Sequence, residues 1–186
     1  MKFYTIKTPT IIQKFFSNYR WRFSSVPKEI YLTFDDGPTL EVTNFVLEEL
    51  KKHQAKATFF CIGKNVKKHQ NIYHKIQEEG HSVGNHTFNH LNGLLTKNTR
   101  YIENIQQASA YIVSKLFRPP YGRLKSSQAR LLQQEGYKII MWDVLSGDFD
   151  RSISPEKCLE NVLKKNTTGS IIVMHDSEKA KDKIYF

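Results

Sequence analysis

Ile30-Tyr31-Leu32-Thr33-Phe34-Asp35-Asp36-Gly37-Pro38 is an apolar run that stops at two carboxylates. Ile30 to Phe34 reads as a β-strand. Neighbouring strand residues point to opposite faces, so Asp35 and Asp36 reach one pocket only if the chain leaves the strand between them. Gly37-Pro38 forces that departure. A helix over Leu40 to Lys52 follows, with Val42, Phe45, Val46, Leu47 and Leu50 available for a buried face. Taken alone, the pair is also what a helix-capping turn looks like.

The alternation continues along the chain. Strands are predicted at 57–62, 82–84, 117–118, 138–144 and 170–174, and helices at 65–79, 97–116, 126–135 and 155–165. Gly80 and Gly136 follow two of the helices and suit left-handed caps. Strand–helix alternation with short connections argues for an α/β fold with parallel strands and right-handed crossovers. About seven strands suggest a closed or nearly closed barrel, whose chemistry gathers at the C-terminal strand ends.

A chain of 186 residues is one domain with room for a substantial core. Its 39% hydrophobic and 12% aromatic content excludes a disordered chain. The net charge of +10 (28 basic, 18 acidic) is spread over paired lysines on helix surfaces, without a dense basic block. Nucleic acid is therefore not expected as a partner. Cys61 and Cys158 are expected as reduced thiols. The N-terminus lacks the apolar core of a secretion signal, and no run approaches the ~20 residues of a membrane span. A cytoplasmic location is favoured on that ground. Ile11, Ile12, Phe15 and Phe16 share one helical face. Packing on the parent domain is preferred for that stripe over contact with a membrane surface.

Several segments at predicted strand ends carry reactive groups. His86-Thr-Phe-Asn-His90 places two imidazoles four residues apart, on one face if the turn is helical. With one carboxylate they make a two-His, one-carboxylate site with open positions for water and substrate. In Arg118-Pro-Pro-Tyr121-Gly122, prolines pin the backbone and the guanidinium fork matches a carboxylate such as Asp35. In Trp142-Asp-Val-Leu-Ser-Gly-Asp148-Phe149, Asp148 could hold and charge a histidine, and Trp142 or Phe149 could wall a groove against a sugar ring. Ile171 to Met174 delivers His175 to a strand tip, where an imidazolium could protonate a poor leaving group. His53, His69, His74 and His81 read as structural or solvated.

Together, from about Ile30 to Asp176, these segments resemble the NodB-type polysaccharide deacetylases, which are metal-dependent carbohydrate esterases. The resemblance implies a distorted (β/α) barrel of about seven parallel strands. It divides the sequence into an arm over residues 1–27, packing on the barrel, and a catalytic domain over 28–186. It implies a divalent metal, zinc first, with cobalt, nickel or manganese as alternatives. Asp36, His86 and His90 would be the metal ligands, Asp35 the general base and His175 the general acid. Arg118 would steady the base, Asp148 would tune His175, and the Tyr121 N–H would be the oxyanion donor. The implied partner is an acetylated glycan, deacetylated at N or O. A catalytically dead relative, an esterase or amidase on another substrate, and an iron oxygenase are the alternatives. Two departures stand out. Phe149 occupies a position where tryptophan is common. The sequence also stops at Phe186, where relatives continue with a helix and strand. Either the end is trimmed, or the arm or a neighbouring chain closes the seam.

Overall fold

Parallel pairing dominates the computed structural model, which describes residues 4–23 and 28–184. The expectations placed on residues 1–3 and 185–186, and on a boundary at 27/28, lie outside the described residues. Seven strands form one parallel sheet, curled into a half-barrel. They are β1 (Tyr31–Asp35), β2 (Thr58–Cys61), β3 (Ser82–Asn85), β4 (Leu116–Phe117), β5 (Lys138–Ile139), β6 (Val144–Leu145) and β7 (Ile171–His175), in the order β5-β4-β3-β2-β1-β7-β6. Central β1 pairs with β2 on one side and with β7 on the other, where Asp35 registers with His175.

Helices α1 (Thr10–Phe15), α2 (Val42–Lys52), α3 (Gly63–Lys68), α4 (Gln70–Glu78), α5 (Asn98–Ser109), α6 (Ser126–Gln134), α7 (Pro155–Lys165) and α8 (Lys181–Ile184) complete the described chain. Helix α2 shows why the pattern works. Val42, Val46, Leu47 and Leu50 recur at helical spacing and are buried, while Lys51 and Lys52 sit at the C-terminus, where the helix dipole favours cations. Phe34, Leu47, Phe59 and Ile76 meet in one core cluster, and Tyr101, Ile105, Phe117, Leu132 and Ile139 in a second. No helix among the described residues is long and apolar enough to cross a membrane.

Four expectations differ in detail. The helix over 65–79 is two helices, because His69 has a non-helical backbone (φ −126°, ψ 52°). The helix over 97–116 ends at Ser109, where the chain turns to bury Ile112 completely and enter β4. The strand over 138–144 is two strands at opposite sheet edges. Between them the Ile140 and Met141 carbonyls accept hydrogen bonds from the Arg118 side chain in place of a ladder partner. Lastly, the stripe on α1 is not buried as a unit. Ile11 and Phe15 are 77% and 81% exposed, and of the four only Phe16 packs against the core. Polar contacts of Thr8 and Gln13 with Trp142 and Asp143 set the orientation of this six-residue helix.

The arm reaches from one sheet edge, at β6, to the other, just past β5. Lys7 bridges to Val144, Arg20 to Ile140 and Arg22 to Ser170. Such pairing covers backbone groups that an edge strand would otherwise leave open.

At the exit of β1 the chain is clamped by Asp176, one residue beyond β7. The Asp176 N–H donates to the Asp35 carbonyl (3.1 Å), and its carboxylate accepts from Gly37 N–H (3.0 Å) and Thr43 Oγ1 (2.7 Å). A Cβ at Gly37 would lie 1.9 Å from Asp176 Oδ2. Gly37→Ala should therefore destabilise the protein by about 2–3 kcal/mol in urea unfolding, as overpacking does. A change under about 0.5 kcal/mol, the size of an ordinary surface substitution, would contradict the clamp.

Candidate active site

Asp36 has φ 81°, a left-handed backbone that residues other than glycine seldom adopt. This one residue does what the sequence required: it ends the strand and turns a second carboxylate into the pocket of the first. Its backbone is held by an N–H donated to the Phe60 carbonyl (3.3 Å) and by Asn65 Nδ2 donating to its own carbonyl (2.7 Å).

The His86–His90 segment is a loop, not the helical turn expected. Thr87 (φ 63°) and His90 (φ 57°) are both left-handed, so the chain coils back without helical hydrogen bonds. Buried asparagines fix it. The Asn85 side chain accepts from the Thr87 N–H, and Asn104 Oδ1 accepts from the N–H groups of Phe88 and Asn89. Sequence reasoning missed both asparagines. Asn104, an amide on the buried side of α5, is the signal that was available, since such a residue needs a partner.

The three candidate ligands converge. Ligand atoms of Asp36, His86 and His90 lie within 4.8 Å of one another. Asp36 Oδ1 is 3.5 Å from His86 Nε2 and 3.0 Å from His90 Nε2, yet it is buried without an aligned hydrogen-bond partner. His86 Nδ1 lies 2.8 Å from the Arg118 carbonyl, which can only accept. That nitrogen therefore carries a hydrogen, and the ring turns its other nitrogen, Nε2, toward Asp36. Burial lowers the His90 pKa, with Asp36 opposing the shift. Burial alone would raise Asp36, but the imidazoles beside it hold it well below the usual carboxylate range. Three lone-pair carriers around one buried point are the donor set that accepts a cation. Lys179, which sequence reasoning did not single out, brings its ammonium to 3.6 Å from Asp36 Oδ2.

Asp35 faces a different partner. Arg118, fully buried, donates from Nη1 to Asp35 Oδ1 (2.7 Å) and to Thr33 Oγ1 (2.7 Å). Its guanidinium lies over the Phe60 ring at 4.1 Å. Burial draws its pKa down and Asp35 opposes the shift.

His175 is held from the other side of β1. Asp148 accepts from the His175 backbone N–H (2.6 Å) and from its ring Nδ1 (2.7 Å). Burial would lower the imidazole, but Asp148, with Asp36 and Asp35 farther off, pushes it up to about 9. Phe149 meets the His175 ring edge-on at 5.3 Å.

Asp35, Asp36, His86, His90 and His175 line one cleft of about 560 Å³, whereas Arg118 and Asp148 are buried outside its lining. Tyr121, Trp142, Leu145, Phe149 and Val173 supply apolar wall, and Tyr4, Asn92, Arg123 and Lys179, not anticipated from the sequence, complete it. Tyr121 stands on a tight turn (φ 60°) over Trp142, whose ring leaves no room for a Cβ on Gly122.

Comparisons with known proteins identify what this chain is similar to. The polysaccharide deacetylase family model matches residues 24–140. A peptidoglycan-N-acetylglucosamine deacetylase of Bacillus cereus is 37% identical over 155 residues, covering 80% of this chain and 56% of the relative. A chitooligosaccharide deacetylase of Azorhizobium caulinodans is 34% identical over 162 residues, covering 83% of this chain and 77% of the relative. The crystal structure of the Bc1960 peptidoglycan N-acetylglucosamine deacetylase superposes with a TM-score of 0.83 at 31% identity, covering 96% of this chain and 87% of the other. The chain spans about half the length of the first curated relatives it matches, 56% and 51%.

The Asp148–His175 pair gives a direct test. NMR titration should show His175 titrating near 9, and Asp148→Asn should bring it down toward or below 6.5, since burial then acts with less opposition. A value that does not move on substitution would remove Asp148 as the cause.

Proposed function

The chain belongs to the polysaccharide deacetylase family, and from that premise we propose that it hydrolyses the acetamido group of N-acetylated sugars in a polysaccharide or oligosaccharide. The names of the relatives favour N-acetylglucosamine polymers as the substrate class. The observation that carries the reading is the buried, unpartnered Asp36 Oδ1 facing two imidazole nitrogens in the cleft that also holds Asp35 and His175. A dead relative needs none of that, and an iron oxygenase leaves Asp35, Arg118 and His175 without work.

Asp36, His86 and His90 fit a divalent cation, zinc first among those compatible with two nitrogens and a carboxylate. Such an ion, when bound, supplies Lewis-acid polarisation of the acetyl carbonyl and acidifies water at the site. The rest falls to the chain's own groups. Asp35, oriented by Arg118, takes the proton of the attacking water. The Tyr121 N–H is assigned to the developing oxyanion, a contact of roughly 3 kcal/mol for one good donor. His175, held by Asp148, gives its ring proton to the departing sugar nitrogen. The C–N bond breaks, acetate leaves, and the sugar keeps a free amine. Arg118 and Asp148 thus hold one carboxylate as acceptor and one imidazolium as donor at the same pH.

Because the donor is charged below about 9, turnover should fall as pH rises through that value. In Asp148→Asn the decline should begin at lower pH; an unshifted alkaline limb would argue against His175 as the acid. Asp35→Asn should keep bound zinc at the parent's stoichiometry and lose about 10²–10⁴ in kcat. Undiminished acetate release would reject Asp35 as the base. His175→Ala should suppress amide hydrolysis far more than hydrolysis of an activated ester, whose leaving group needs no proton. Equal losses on both would count against proton donation.

A further inference from the structure

Tyr4 lies far from every catalytic candidate in sequence, yet it lines the cleft with Asp35 and His175. The arm is fastened so as to put it there. Leu145 N–H donates to the Ile6 carbonyl (2.8 Å), and Thr8 N–H to the Asp143 carbonyl (2.9 Å). Lys7 Nζ donates to Asp143 Oδ2 (2.6 Å), and Gln13 Nε2 to Asp143 Oδ1 (3.0 Å). The Asp143 carboxylate is fully buried beneath these contacts. The chain is thereby carried past β6 to the loop that bears Asp148 and Phe149.

There the tyrosine is held at two points. Its hydroxyl donates to the buried carboxylate of Asp150 (2.9 Å), and its ring meets Phe149 edge-on at 5.2 Å. Phe149 in turn meets the His175 ring. An aromatic wall Tyr4–Phe149 therefore flanks the imidazole assigned to protonate the leaving nitrogen. Sugar rings present apolar C–H faces, and a tyrosine offers a large, stiff ring at low entropic cost.

We infer that Tyr4 is a specificity-determining residue supplied by the N-terminal arm, its ring joining Phe149 as the surface on which the glycan chain beside the reacting sugar rests. This rests on the deacetylase reading above. It makes arm docking a condition for binding oligomers, since the arm brings the wall with it. The hydroxyl is a fastening to Asp150, and the ring is the part that meets substrate.

The test compares Tyr4→Ala and Tyr4→Phe with the parent, on an N-acetylglucosamine oligomer and on 4-nitrophenyl acetate. Tyr4→Ala should raise KM for the oligomer roughly tenfold, the upper end of a ring contact. Its loss on the small ester should be several-fold less. Tyr4→Phe, which keeps the ring, should recover most of the oligomer KM. Equal losses on both substrates, an unchanged oligomer KM, or Tyr4→Phe as impaired as Tyr4→Ala would each overturn the inference. Should Tyr4→Ala fail to fold, Tyr4→Leu keeps apolar bulk without the ring and is read the same way. If the parent releases no acetate from the oligomer, it is the deacetylase reading that fails. Calorimetric titration of the oligomer into parent and variant then still decides whether Tyr4 contributes to binding.

Discussion

A guanidinium with no exposed surface is the constraint around which this site is built. Burying Arg118 in an apolar interior costs several kcal/mol unless every donor is used and the charge is met. Here Asp35 meets the charge, Thr33 takes a second bond, the Ile140 and Met141 carbonyls take two more, and Phe60 lies beneath the plane. The residue thus ties central β1 to the segment that carries the chain from one sheet edge to the other. Removing it would leave Asp35 buried without a partner and release the carbonyls that keep β5 and β6 apart. The fold and the placement of Asp35 depend on the same side chain.

The same economy governs Asp36 and its neighbours. A left-handed residue turns it away from Asp35's partner and toward the imidazoles, so two adjacent carboxylates have separate electrostatic surroundings. Asp176 then locks the turn by taking the Gly37 N–H. Burial raises Asp176 to about 7, with Asp36 adding to the rise, and Thr43 and the Gly37 N–H opposing it. The His-Asp pair at the end of β7 therefore divides its labour: His175 faces the cleft and Asp176 faces the backbone that presents both acids.

Much of this was legible in the sequence because the signals were local. Periodicity marked α2, and an apolar run ending in Asp-Asp-Gly-Pro marked β1 and its departure. Residues at strand tips marked the cleft, while the roles given to them come from the family resemblance and stand as the proposal above. What failed was non-local. The stretch after Gly136 reads as one strand, since nothing in its own pattern says that Arg118 will claim its middle carbonyls. The imidazole spacing reads as a helical turn, since the loop is stabilised by Asn104 from α5. Tyr4 and Lys179 could not be placed at all, because their positions follow from how the two ends of the chain dock. The stripe on α1 shows the limit of amphipathicity: polar anchors at Thr8 and Gln13 fix the helix and leave Ile11 and Phe15 in solvent.

The central claim is that one cation joins Asp36 to both imidazoles beside an Arg118-bound base. X-ray absorption spectroscopy on the zinc-loaded protein tests it most directly. The account predicts two imidazole nitrogens and carboxylate oxygen at about 2.0–2.2 Å, and no sulfur. A first shell containing thiolate sulfur near ~2.3 Å, or lacking imidazole, would place the ion elsewhere and contradict it.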